Sequence, residues 1–311
     1  MLLFILLTFI YNTYAFSYGN IAIIGSTGKL GINVINNLSK KNISTTILNR
    51  HSYKLNNYTN FNANSKLIKY YSSLSNIKII DGDINDEESL IKLLEDCDTC
   101  LALHGSTRIS KFTDIFNYNI NDKSHPMYVN YIGIHNIITA AKKTKRCKHI
   151  IRVTGNGENP WSFPSIIINL FSSMSKPWNY AGEYLLRNSN ISYTIIRPGI
   201  MSYDNDKDYS LEISDNGKYI PISKISYDNI GKLCIECITH PNVKNSTLTA
   251  MTVSTGYGKS SWKQLLSNVK SDIRFYPDKK DIITKHYIAV NILLVILITT
   301  LLNIIKILFN I

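Results

Sequence analysis

Gly25, Gly28 and Gly31 are evenly spaced in GSTGKLG, directly after the apolar run Ile21 to Ile24. Ile32, Ile35 and Leu38 then recur on one helical face, and a β-branched run from Thr45 to Leu48 ends at Arg50. Strand, glycine turn, helix and strand in this order predict a βαβ unit that cradles a dinucleotide pyrophosphate. Gly25 permits the tight turn, Gly28 admits phosphate close to backbone amides, and Gly31 lets the helix lie near the strand. The helix N-terminus supplies N–H groups and partial positive charge.

Arg50 bears on which dinucleotide. Sites for NAD place Asp or Glu about 20 residues past the glycines to accept from the ribose 2′-hydroxyl. An arginine there suits the 2′-phosphate of NADP, because its planar fork matches phosphate oxygens. His51 and Ser52 offer further donors. NADP(H) is therefore expected over NAD(H), with a solvated arginine at a strand end as the plainer alternative.

The elements that would position these groups alternate along the chain. Strands are expected at Asn76 to Ile80, Thr99 to Leu103, His149 to Val153, Tyr193 to Ile196 and Ser246 to Val253. Helices are expected at Glu87 to Leu94, Tyr128 to Lys142, Tyr180 to Asn188 and Asp228 to Thr239, with Asn85 and Asp86 as cap candidates. This alternation predicts a doubly wound, mostly parallel Rossmann sheet of the α/β class, in a single domain over 19–271. His51 to Ser75 reads largely as surface loop, with room for a short helix, and Ser106 to Pro126 as a long irregular loop near the strands' carboxyl ends.

Both chain ends are apolar. Residues 1–15 read as a signal peptide, with Thr13 and Ala15 as the small residues a signal peptidase requires. A charged linker is expected over 272–286, followed by a transmembrane anchor over 287–305, flanked by Lys285, His286 and Lys306.

The chain has 34 Lys+Arg against 22 Asp+Glu, a formal net charge of +12 over 311 residues. The lysines are scattered without interleaved aromatics, which argues against nucleic-acid binding. Cys97/Cys100 and Cys234/Cys237 have CxxC spacing, with Cys147 alone. Their placement in expected strands and helices fits small buried residues better than a metal site, so no metal is expected.

The chain resembles the atypical short-chain dehydrogenase/reductase superfamily, particularly its NmrA-like NAD(P)-binding branch. The resemblance rests on GSTGKLG (Gly25–Gly31), DGDINDEESL (Asp81–Leu90), VNYIGIHNIITAAKK (Val129–Lys143), KHIIRVTG (Lys148–Gly155), GEYLLRNSNISYTIIRPG (Gly182–Gly199) and ISYDNIGKLCIECITHP (Ile225–Pro241). It implies that Gly25, Ser26, Thr27, Gly28, Leu30 and Gly31 hold the pyrophosphate and Arg50 the 2′-phosphate. Asp83 and Ile84 would flank the adenine, though Asp83 also suits a cap on the next helix. Leu103, His104 and Gly105 would line the adenosine ribose, Thr154 would face the nicotinamide, and Pro198 and Gly199 would bring backbone to the carboxamide.

One departure stands out. Catalytic relatives carry a tyrosine and, four residues on, a lysine ahead of the E-x-x-L-R-x-S motif; here Ser175 and Asn179 occupy those places. Tyr180 and Lys176 lie close by and could substitute as acid/base and ribose ligand; the alternative is a surface tyrosine and a solvated lysine. The resemblance therefore implies either a membrane-tethered, NADPH-dependent reductase of a small apolar substrate or a non-catalytic NADP(H)-sensing regulator or assembly factor with a protein partner. The chain is expected to be a monomer, placed in the endomembrane system or in the plastid of an alga with secondary plastids.

Overall fold

The computed structural model describes residues 18–50, 61–115, 121–203, 209–214, 216–217, 223–254 and 261–309. The expected signal peptide, His51 and Ser52 lie outside them. Its centre is an eight-stranded sheet of β1 (Ile21–Ile24), β2 (Thr45–Asn49), β3 (Ile77–Asp81), β4 (Thr99–Ala102), β5 (His149–Val153), β6 (Ser192–Pro198), β8 (Tyr209–Ser214) and β10 (Ser246–Ser254). Their order is β3-β2-β1-β4-β5-β6-β10-β8, parallel except for β8, which runs antiparallel to β10 at the edge. Two short strands, β7 (Ile200–Ser202) and β9 (Lys224–Ser226), pair separately. The fold is the doubly wound Rossmann class expected from the sequence.

Helices cover both faces, which is why β1, β2, β4 and β5 are buried at every position. Alternate residues of β1 serve opposite cores, as strand geometry requires. Ile21 and Ile23 pack with Val34, Ile35 and Leu38 of α1 (Lys29–Lys40) and with Tyr71 of α2 (Phe61–Ser72). Ala22 and Ile24 pack with Leu90 of α3 (Glu87–Leu94), Ile134 and Ile137 of α4 (Gly133–Thr144), and Leu186. The strand order reverses between β1 and β4, opening the crevice at their carboxyl ends where this fold binds ligands.

Against the start of the helix that packs beside α4 lies a third layer. The segment Trp161 to Trp178 forms α5 (Phe163–Phe171), a turn with Ser173 and Met174 at positive φ, and the first turn of α6 (Ser175–Arg187). A final helix spans Lys279–Phe309 beyond α7 (Tyr227–Thr239) and α8 (Trp262–Leu266), and is termed α9. Met174, Trp178 and Ala181 pack with Tyr287 and Val290 of α9, and Ile166 and Leu170 of α5 join them. α5 thus rests on α6 and α9 rather than on the sheet.

One expectation changes. The stretch 272–286 is tied to the domain instead of spacing it from the anchor. Asp272 accepts from Tyr193 Oη (3.0 Å) and Thr247 Oγ1 (2.6 Å), Arg274 pairs with Glu158, and α9 already begins at Lys279. Charged residues made this stretch look solvated; here the charges have partners. The short helix allowed for before β3 is α2, whose Asn- and Lys-rich sequence gave little apolar period. Beyond Val295, α9 is exposed on every face, and it is long and apolar enough to cross a membrane.

Gly31 shows how tightly the first unit is built, since a Cβ there would overlap the Gly25 carbonyl oxygen. Gly31→Ala is expected to cost about 1–3 kcal/mol through this overlap. Urea unfolding of the full chain in detergent reads the loss as a lower midpoint.

Candidate functional site

The glycine loop leaves β1 at Gly25, whose φ of 94° is open to glycine and strained for other residues. A Cβ at Gly25 would also press on the backbone of Leu103 and His104, so the ends of β1 and β4 are in direct contact there. Gly28 N–H donates to Gly25 O (3.2 Å), and α1 begins at Lys29 with no side-chain cap and no acid in its first turn. Its leading N–H groups therefore lack side-chain acceptors. A Cβ on Gly28 would meet only the Gly25 carbonyl, and one on Gly105 nothing at all, so the space above both is open.

Ser26 and Leu30 hold the cradle rather than face it. Ser26 is buried with Oγ donating to Leu48 O (3.3 Å), while Tyr71 Oη donates to Ser26 O (3.1 Å). Leu30 points into the core and Thr27 is half-buried. Arg50 is exposed immediately after β2. Asn49 Nδ2 donates to Asp81 Oδ1 (2.8 Å), which engages the nearest carboxylate of β3.

Asp83 braces its own turn, accepting from Asn85 N (2.8 Å), while Asp86 caps α3 by accepting from Glu88 N (3.2 Å). Asp83 is thus not the helix cap. Ile84 is buried under Gly133, and its carbonyl accepts from Asn136. Leu103 packs against the core, and its N–H donates to Ile24 O (2.9 Å). Both ring nitrogens of His104 are buried without a well-formed hydrogen bond. Burial, then the charges of Arg152 and Arg50, push its pKa well below the ordinary value, so the ring is neutral.

Arg152 was not among the residues expected to act. It lies fully buried on β5, where its Nη1 donates to Ala102 O (3.1 Å) and His104 O (2.6 Å) and its Nη2 reaches Asn179 Oδ1 (3.5 Å). Burial lowers its pKa to about 10, partly offset by Glu183, so it remains charged at neutral pH. The signal was present in KHIIRVTG, where a charge interrupts a buried strand. The charges of both Arg152 and Arg50 bear on His104.

Thr154 Oγ1 donates to Glu183 Oε1 (2.6 Å), and Glu183 also accepts from Arg197 Nη2 (2.5 Å) and Arg187 Nη2 (2.9 Å). Burial alone raises the Glu183 carboxyl, but Arg197, Arg187 and the bonds from Arg197 and Thr154 overcome it and hold the pKa down to about 2. Pro198 ends β6, and a Cβ on Gly199 would overlap Ser223 O.

The two stand-ins for the missing pair are engaged elsewhere. Tyr180 is fully buried, its hydroxyl donates to Pro277 O (2.6 Å), and burial raises its pKa. It is therefore neither the surface tyrosine of the alternative reading nor a poised acid. Lys176 Nζ donates to Asn156 O (3.0 Å), and its pKa is lowered by burial and by Arg197. Lys176 stays beside the loop after β5, since a Cβ on Gly155 would lie 3.4 Å from its Nζ.

The glycine cradle, the uncapped helix start and the exposed Arg50 suit an anionic dinucleotide. A model of the family described as NAD(P)H-binding matches residues 25–241, and the chain belongs to that family. It is 22% identical to Protein TIC 62, chloroplastic, of Pisum sativum over 83% of its own length and 47% of that protein's. The Arabidopsis thaliana protein of the same name is 22% identical over 66% of this chain and 30% of its own length. The chain thus spans less than half of these relatives. Eugenol synthase 1 of Petunia hybrida is 26% identical over 89% of this chain and 84% of that protein. Among solved structures, the oxidoreductase ylbE of Lactococcus lactis superposes with a TM-score of 0.59 at 17% identity, covering 80% of this chain and 95% of that one. A Veillonella parvula short-chain dehydrogenase/reductase in complex with NADP gives 0.56 at 14%, covering 78% and 99%.

The carboxyl held down by its arginines fixes the sign of the acid response. Glu183 contributes stability that is complete above its ordinary value of 4.5 and is lost as pH falls towards about 2. Thermal unfolding of the full chain in detergent should therefore drop across that window. Glu183→Gln should start less stable and show less of the drop.

Proposed function

We propose that the chain is a membrane-tethered NADP(H)-binding reductase of a small apolar substrate. The observation that carries the cofactor half is Arg50 at the end of β2, beside a glycine cradle with an uncapped helix start. The 2′-phosphate would rest on Arg50, the pyrophosphate on the amides of Gly25 to Gly31, and the nicotinamide would lie towards Thr154, Pro198 and Gly199. Asp83 and Ile84 would border the adenine, and Leu103 to Gly105 the ribose, with the Arg152 charge beneath. The bound cofactor supplies hydride chemistry, and the protein supplies orientation and charge. No tyrosine hydroxyl among the described residues stands ready beside Lys176, so the proton in a reduction would come from water or from the substrate itself.

A second reading has its own observation. Tyr180 is bonded to Pro277 O and Lys176 to Asn156 O, as befits structural side chains. A non-catalytic NADP(H) sensor that recruits a protein partner needs only the cradle and the arginines. For placement, the relatives named as chloroplastic favour a plastid membrane over the endomembrane system.

Calorimetric titration of the full chain in detergent tests the cofactor. NADPH should bind more tightly than NADH, and Arg50→Ala should weaken NADPH roughly 10- to 100-fold, the worth of a charged hydrogen bond of about 1.5–3 kcal/mol. NADH affinity should barely move. Consumption of NADPH with a panel of apolar enones and ketones, unchanged in Tyr180→Phe, supports the reductase. Tight binding with no consumption across the panel supports the sensor.

A further inference from the structure

Trp161 to Phe171, WSFPSIIINLF, contains no charged residue, and α5 turns its polar Ser165 and Asn169 inward and apolar residues outward. Ile166 and Leu170 pack inward towards Tyr287 and Val290, while Phe163, Ile168 and Phe171 are 69%, 38% and 68% exposed. Trp161, just ahead of α5, is 55% exposed. Ser110 N–H donates to Phe171 O (3.2 Å), which brings the exposed Ile109 to the same edge. A helix on a water-facing surface carries polar residues outward; one that turns apolar residues outward is covered by something.

The position of the charges on α9 indicates what covers it. Lys285 and Lys306 are the last charges before and the first after an uncharged run, 286–305. That run is about 20 residues, or roughly 30 Å of helix, which matches the hydrocarbon thickness of a bilayer. Its first turns are the part of α9 that packs on α5 and α6, through Tyr287 and Val290. His286, at the boundary, bonds Asn169 of α5 (2.9 Å) and Gly157 O (2.7 Å). If the span is to sit in the hydrocarbon, α5 lies at the depth of the headgroups.

We propose that α5 is an interfacial helix whose outer face, Trp161, Phe163, Ile168 and Phe171 with Ile109 beside it, is seated in the lipid boundary next to the α9 span. This rests on the membrane-tethered reading above. A tryptophan at the end of such a helix suits the interface, where its ring is apolar and its N–H stays wet. The seating also holds the Gly155–Gly157 loop, bonded to His286 and adjacent to Lys176, against the membrane side of the domain.

Of the three tryptophans, Trp178 and Trp262 are buried, so Trp161 is an accessible reporter. The full chain would be reconstituted into phosphatidylcholine vesicles whose acyl chains carry bromine near the glycerol, and its fluorescence compared with that of Trp161→Phe. The expected result is flotation with the vesicles, quenching by bromolipid that is mostly lost in Trp161→Phe, and protection of Trp161 from aqueous iodide. Phe163→Glu/Phe171→Glu should still float but lose that bromolipid quenching. A chain that floats while Trp161 is quenched by iodide and not by bromolipid overturns the proposal and leaves the tether intact. Shielding from both quenchers points to a protein on this face and also overturns it. Failure to float removes the tether itself.

Discussion

The close approach of two backbones governs this molecule. Where β1 turns into α1, Gly25 lies against the backbone of Leu103 and His104, and Gly31 lies against the Gly25 carbonyl. No side chain fits at either point. Because the ends of β1 and β4 meet there, the crevice of the strand-order reversal is floored by main chain, and anions can reach the start of α1. The two arginines then act on a shape already set by glycine. Arg50 is exposed just past β2, Arg152 is buried on β5, and the charges of both act on the neutral His104 ring.

A second set of charges holds the far side of the site. Glu183 of α6 joins Thr154, Arg187 and Arg197, and Glu158 carries the connection on to Arg274. Buried ion pairs of this kind add little net stability but are costly to break on one side. Here they fasten β5, β6, α6 and the stretch leading to α9 into one body. Tyr180 belongs to this construction through Pro277, which explains how a tyrosine so near the family's catalytic position can be structural. The apolar helix is therefore joined to the loop that carries Thr154, not hung from a free tether.

Much of the fold could be read from local pattern. The buried strand β5 and the helix α3 fall at the residues that periodicity marked, because both combine a clear apolar repeat with sharp ends. α6 begins five residues earlier than expected and takes in Pro177, since proline is tolerated in a first helical turn. β7, β9 and the edge strand β8 gave no signal because they are short or held by partners distant in sequence. At the turn after β1, the need for Gly25 and Gly31 was legible because spacing marks them. The roles of Asp272 and Arg274 were not, since their partners lie 25 to 116 residues away and only the folded chain brings them together.

The most direct test of the central claim is an experimental structure of the full chain with NADPH bound. The pyrophosphate should lie over Gly25 to Gly31 at the start of α1, with the 2′-phosphate on the Arg50 guanidinium. A nucleotide bound away from the glycine turn, or one whose 2′-phosphate leaves Arg50 in solvent, would contradict the account.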